Sequence, residues 1–170
     1  MSTERPAFSV RPTTADDDPL VDRLWQLYAH DLSASRGSLP NPEGLFKMGH
    51  LAWYRGEPDK WFGFLVISDG ASAGFAFVGR AWDGDKNTIG DFFTVRAARR
   101  RGIGFAVARE LIGRFPGRWE IAFQEENRGA PEFWRGVVTS LVGDAWTEEL
   151  RPVPDKPHIP PDHWIVFDAG

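Results

Sequence analysis

Residues Thr94 to Phe105 read T-V-R-A-A-R-R-R-G-I-G-F. A strand-like segment runs into an arginine-rich turn, and a helix headed by Gly102 and Gly104 follows. The first turn of a helix carries backbone N–H groups with no intrahelical partner, and the helix dipole adds partial positive charge there. Glycine lets an anion approach those amides closely, and arginine adds charge-assisted hydrogen bonds. Seven arginines (96, 99, 100, 101, 109, 114, 118) face one acid, Glu110, between Arg96 and Arg118. That segment carries +6 on a chain of net charge −4, leaving −10 for the remainder. A concentrated basic patch on an acidic protein suits a small polyanion such as a phosphate or pyrophosphate better than a long duplex. The alternative is a solvated helix face. No G-x-x-x-x-G-K-[ST] phosphate loop is present, and Val107 stands where a dinucleotide fingerprint needs its third glycine.

The elements that must position this segment are legible from periodicity and punctuation. Phe8–Arg11 reads as a short strand. Asp16-Asp17-Asp18-Pro19 opens a helix, with Leu20, Leu24, Leu27 and Tyr28 on its apolar face. Ser33 to Pro42 reads as loop, and Leu45, Phe46, Met48 and Leu51 suggest a short second helix. Trp61–Ile67 is a strand, Asp69-Gly70 a hairpin turn, and Gly74–Gly79 the returning strand. Asp83-Gly84-Asp85 marks a further turn. Ile89–Val95 is the next strand; its alternation places Asp91, Phe93 and Val95 on one face. Ile103, Ala106, Val107 and Leu111 recur at helical spacing until Phe115-Pro116-Gly117. Trp119–Phe123 is a strand, Ala130–Val138 a helix, and Trp146–Leu150 and Trp164–Phe167 are final strands. The order β-α-α-β-β-β-α-β-α-β-β predicts an α+β fold.

Composition sets the outer limits. At 170 residues the chain is expected to form one domain. The absence of cysteine excludes disulfides, thiolate metal sites and a cysteine nucleophile. The four histidines (30, 50, 158, 163) lack helical ligand spacing, so no metal is expected. The longest apolar run, Trp61–Ile67, is far short of the ~20 residues of a membrane span. The opening MSTERPAFSV has no apolar core of a signal peptide. A cytoplasmic protein is expected, with no membrane partner, and the net charge disfavours a nucleic-acid partner.

Arg99-Arg100-Arg101-Gly102-Ile103-Gly104 matches [Gln/Arg]-x-x-Gly-x-[Gly/Ala] after a strand, and Asn127, Ala130, Phe133 and Trp134 match N-x-x-A-x-x-F-[YW] one helix and one strand later. These two segments resemble the Gcn5-related N-acetyltransferase (GNAT) family, and in particular a bacterial subgroup of predicted acetyltransferases. The resemblance is concentrated over residues 88–138. It implies a mixed, mostly antiparallel sheet of six to seven strands with flanking helices, and a cofactor groove where the fourth and fifth strands splay apart. It implies acetyl-CoA as co-substrate. Backbone groups of Phe93, Thr94 and Val95 would pair with the pantetheine arm. Arg99, Arg100, Arg101, Gly102, Ile103, Gly104 and Phe105 would hold the pyrophosphate, chiefly through the amides of residues 100–105. Asn127, Phe133 and Trp134 would flank the thiol end. Acetyl would pass directly to a primary amine of a small molecule or peptide in a ternary complex, and a homodimer is in keeping with similar proteins.

Such a transfer needs an acceptor for the amine proton, commonly a carboxylate. Asp91, between Gly90 and Phe92 on the strand before the loop, is the candidate base or amine anchor; the other reading pairs it with Arg80 or Arg96. Thr88 occupies the family's commoner glutamate position. Trp134 replaces the tyrosine that often protonates the thiolate, and an indole is no useful acid. Tyr28 and Tyr54 are the remaining phenols, and Tyr28 is a candidate substrate-binding residue unless it is core. Glu125 and its neighbour Glu126 either attract a cationic acceptor or are solvated loop acids. Trp25, Trp53 and Trp61 are candidates for lining an acceptor pocket or the core. Two other readings are a catalytically weak acyl-CoA-binding module or sensor, and an RNA-associated protein using the arginine cluster.

Overall fold

A computed structural model describes residues 7–80 and 84–170. Its elements are β1 (Phe8–Pro12), α1 (Asp18–Arg36), α2 (Leu51–Gly56), β2 (Trp61–Ser68), β3 (Ala71–Arg80), β4 (Asn87–Thr94), α3 (Ile103–Arg114), β5 (Gly117–Phe123), α4 (Ala130–Val142), β6 (Trp146–Arg151) and β7 (Asp162–Ala169). The strands form one seven-stranded sheet in the order β1-β2-β3-β4-β5-β7-β6. It is mostly antiparallel, with β4 and β5 parallel and paired at Asn87 and Trp119. The α+β expectation and its order of elements hold. Residues 1–6 of the opening segment, and Asp83 of the expected turn, lie outside the described residues.

The chain divides into two compact units, one reaching to Val78 and including Asp91–Val107, the other made of Gly79–Gly90 and Ala108–Gly170. The first contains β1, which pairs antiparallel with β2 from Phe8 opposite Ser68 to Pro12 opposite Phe64. Asp69 and Gly70 both have positive φ (52° and 77°), the geometry of the two-residue hairpin turn that fits the twist of its flanking strands. The core of this unit is aromatic: Trp25, Tyr54, Trp61, Phe75, Phe77 and Phe93 pack with Val21, Leu24, Leu51 and Leu65.

Three local expectations are corrected here. The apolar face of α1 is Val21, Leu24 and Trp25, with Leu20 and Tyr28 at its margin, while Leu27 is exposed. Moreover, α1 continues to Arg36, and Gly37 in the left-handed region ends it. The second helix begins at Leu51, so Leu45, Phe46 and Met48 are not helical. The backbone of Phe46 and Lys47 is bound by side chains of α1 instead. Gln26 accepts from the Phe46 N–H at 2.7 Å and donates to the Phe46 carbonyl at 3.0 Å, and Trp25 donates to the Lys47 carbonyl at 3.2 Å. These tertiary bonds outweigh a weak local helical preference.

The second unit contains the β5-β7-β6 ladder, in register from Gly117 opposite Ala169 to Phe123 opposite His163, and from Trp146 opposite Phe167 to Arg151 opposite Asp162. Trp119 stacks on Phe167, and the α4 residues Trp134, Val137 and Val138 are buried.

Candidate active site

The alternation of β4 turns Asp91 and Phe93 inward, Phe93 onto the aromatic core and Asp91 beside α1 and α2. Asp91 is a buried carboxylate with three donors. Tyr28 of α1 donates to Oδ1 at 2.5 Å, Tyr54 of α2 donates to Oδ2, and Nδ1 of His50 lies 3.2 Å from Oδ2. Burial pushes the Asp91 pKa up, but hydrogen bonds from His50, Tyr28 and Tyr54 outweigh it and hold the carboxyl below its ordinary range. Burial first, then the Asp91 charge, pushes both phenols well above their ordinary value. Asp91 is therefore an anion and the tyrosines are its permanent donors.

This corrects the alternative that paired Asp91 with an arginine. Arg96 bonds Asp31 at 3.0 Å instead. Tyr28 is at once core and site: its ring packs edge-on against Trp25 and Phe75 while its hydroxyl reaches Asp91. His50 escaped sequence reasoning, which weighed histidines only as metal ligands. The signal was available, because His50 and Tyr54 are four residues apart at a helix start and share one face. The Tyr54 N–H bonds the His50 carbonyl at 2.9 Å. Of the tryptophans considered, Trp25 and Trp61 are buried in the core and Trp53 donates its indole N–H to Glu57.

The arginine-glycine loop begins where β4 ends. Arg96–Ala98 forms a single 3-10 turn, Arg100 has φ 59° and Gly102 φ 76°. The Ala106 N–H closes on the Gly102 carbonyl at 3.0 Å, and the amides of Ile103, Gly104 and Phe105 sit in the unpaired first turn of α3. A Cβ at Gly102 would meet nothing within 4 Å, so the space above the loop is open.

Arg96, Arg99 and Arg101 have protein partners. Arg99 donates through Nε to the Thr94 carbonyl at 2.8 Å, pairs with Asp31 and lies over the Phe93 ring. Arg101 reaches Asp69 at 3.1 Å. Asp31 is raised by burial, but its bonds to Arg99 and Arg96 dominate and hold it below the ordinary carboxylate range. Just past β4, the Val95 N–H already bonds the Ala73 carbonyl at 2.8 Å.

Asn127, Phe133, Trp134 and Glu125 belong to the second unit. The Asn127 carbonyl accepts from Ala130 at 3.0 Å at the start of α4. Phe133 and Trp134 meet edge-on at 4.9 Å, with Trp134 buried. Glu125 is bonded to Arg135 at 3.3 Å and faces Nε2 of His163 at 3.3 Å. Among the described residues no group of three or more His, Cys, Asp or Glu could hold a metal ion, and no helix is long and apolar enough to cross a membrane.

The acetyltransferase (GNAT) family profile matches residues 21–137, well over half of the chain and inclusive of both Asp91 and the loop. The chain belongs to the GNAT acetyltransferase family. Solved acetyltransferase structures share its fold over nearly its whole length. An acetyltransferase from Thermus thermophilus superposes with a TM-score of 0.70 at 17% identity, over 95% of this chain and 97% of its own. The ribosomal-protein-S18-alanine N-acetyltransferase of Escherichia coli gives 0.63 at 16%, over 96% and 95%. A ribosomal L7/L12 alpha-N-protein acetyltransferase in complex with coenzyme A gives 0.66 at 13%, over 96% of each. At these identities the likeness is one of fold. No curated protein matches the sequence.

Proposed function

We propose that this GNAT protein is an acetyl-CoA-dependent N-acetyltransferase, acting as one domain, that moves acetyl to a primary amine of a small molecule or peptide. The observation that carries the reading is the pairing, within one compact unit, of an open, glycine-flanked helix start with a buried anionic cluster around Asp91. Amides of residues 100–105 would take the pyrophosphate, with Arg100, among the described residues, outside the carboxylate pairs that hold Arg99 and Arg101. The Phe93–Val95 backbone would guide the pantetheine arm, and we assign Asn127, Phe133 and Trp134 to its thiol end. Acetyl-CoA supplies an activated thioester. Of the two roles considered for Asp91, its three donors and depressed pKa favour holding positive charge at the acceptor end over taking a proton. Tyr28 supports that end by orienting Asp91, and Glu125 supplies further negative charge for a cationic acceptor. Similarity to enzymes named for ribosomal-protein N-termini supports a peptide amine as readily as a small one.

The test is a thermal-shift titration with acetyl-CoA, with NAD as control, followed by free-thiol release over a panel of amines. Ligand at ~100 times Kd adds about 2.7 kcal/mol, or roughly 5–11 °C for a domain of this size. No shift at millimolar acetyl-CoA refutes the assignment.

A further inference from the structure

We propose that the proton acceptor of the transfer is His50, with Asp91 as the positioning residue that holds it; this rests on the N-acetyltransferase reading. A base must meet the incoming amine. The Asp91 side chain is 8% exposed, whereas the His50 side chain is 63% exposed. Both Asp91 oxygens are already engaged, Oδ1 by Tyr28 and Oδ2 by Tyr54 and His50. An ionised carboxylate accepts only, so the His50 nitrogen facing it carries the hydrogen and donates. In the neutral ring that fixes the lone pair on Nε2. The ring orientation is further set by edge contacts with Trp53 at 6.1 Å and Tyr54 at 6.0 Å. Among the described residues, Asp91 from β4, Tyr28 from α1 and Tyr54 from α2 meet at this cluster, and the charge of Arg36 acts on Tyr28. Both phenols stay protonated, which leaves the imidazole as the group in this cluster with a lone pair to offer the amine proton.

The step balances without a further reactant. The amine nitrogen uses its lone pair to form the N–C bond to the thioester carbonyl carbon. The C–S bond breaks with its pair on sulfur, and the proton on nitrogen passes to Nε2 of His50. The thiolate takes a proton from water, and the imidazolium returns its proton to solvent. The same chemistry explains why the cluster contains two tyrosines: they neutralise the acceptor capacity of Asp91 so that its charge stabilises the imidazolium rather than competing for the proton.

The test uses the full chain, acetyl-CoA, and butylamine, putrescine, glycinamide and an Ala-initiated tripeptide as probes. His50→Asn keeps an N–H close to the Nδ1 position and removes the Nε2 lone pair. Its kcat is expected to fall ~100-fold or more, as for loss of a general base, with the acetyl-CoA thermal shift unchanged. Added imidazole is expected to restore part of the turnover of His50→Ala. In 15N spectra of histidine-labelled protein, the resonance absent from His50→Asn is expected to be the Nδ1–H tautomer. Turnover of His50→Asn within about threefold of the parent across pH 6–9 overturns the proposal while leaving the enzyme reading intact. An Nε2–H tautomer does the same. A parent protein that neither gains stability from acetyl-CoA nor releases thiol with any probe overturns the enzyme reading, and the proposal with it.

Discussion

Replacing Gly74 by alanine tests whether the site rests on the close approach of β3 and β4. A Cβ at Gly74 would lie 2.0 Å from the Phe93 carbonyl oxygen and 3.0 Å from both the Phe93 carbonyl carbon and Thr94 Cα. The obstructing atoms are backbone, so no rotamer change relieves them; β4 must retreat by more than ~1 Å to reach ordinary contact. Overpacking of this kind costs ~1–3 kcal/mol. The neighbouring Val95 N–H to Ala73 bond, stretched by the same displacement, is worth ~1 kcal/mol. Together these predict a loss of about 3 kcal/mol and a drop of ~6–12 °C in Tm. Because Phe93–Val95 is also the proposed guide for pantetheine, and a ~1 Å misplacement can cost ~100-fold in rate, turnover should fall further than stability alone dictates. Gly113→Ala is the control, since its Cβ meets nothing within 4 Å near the end of α3; it should raise Tm slightly. Calorimetric melts with and without acetyl-CoA read both effects. A Gly74→Ala protein melting within about 2 °C of the parent, with an undiminished ligand shift, refutes the reasoning.

Gly102→Asp should fold, because Asp tolerates the left-handed region and the space there is open. It should lose the acetyl-CoA thermal shift by placing a negative charge at the pyrophosphate position. Tyr54→Phe removes a donor from buried Asp91 and should cost ~1–3 kcal/mol in chemical denaturation, with kcat reduced more than the affinity for acetyl-CoA. Glu148 gives a pH prediction. Its bonds to Arg135, then to His163, overcome burial and depress its pKa from 4.5 to about 2. A depressed carboxylate contributes stability above its unfolded pKa and loses it as pH falls through the folded one. The stability gap between the parent and Glu148→Gln should therefore be largest above pH 4.5 and close as pH falls toward 2. Urea melts between those limits measure it.

The strands and the loop were legible because their signals are local: alternation, an Asp-Gly turn, and glycines at a helix start. Asp91 stood out for the same reason, as a charge inside an apolar strand. Its partners did not, because Tyr28 is 63 residues and His50 41 residues away in sequence. Nothing in the pattern around Tyr28 separates a phenol that merely packs from one that also donates. The misplaced second helix has a similar origin. Phe46 and Lys47 are held by the side chains of Gln26 and Trp25, twenty or more positions upstream. The arginine cluster is visible in the sequence as a concentration of charge, but which of its members brace the loop depends on Asp31 and Asp69.

Tyr28 and Asp31 lie on one helix, three residues apart and thus nearly one turn. The first grips Asp91 in the body of β4; the second grips Arg96 and Arg99 where the strand gives way to the anion loop. Helix α1 therefore works as a splint between the Asp91 cluster and the loop. Under the proposed function, a ligand that slid or tilted the splint at one end would disturb the other. The two binding constants would then be tied, and by thermodynamic reciprocity each substrate would alter the affinity for its companion by the same factor. An acceptor amine that presses on Tyr28 would thus register as a change in how tightly the phosphates are held.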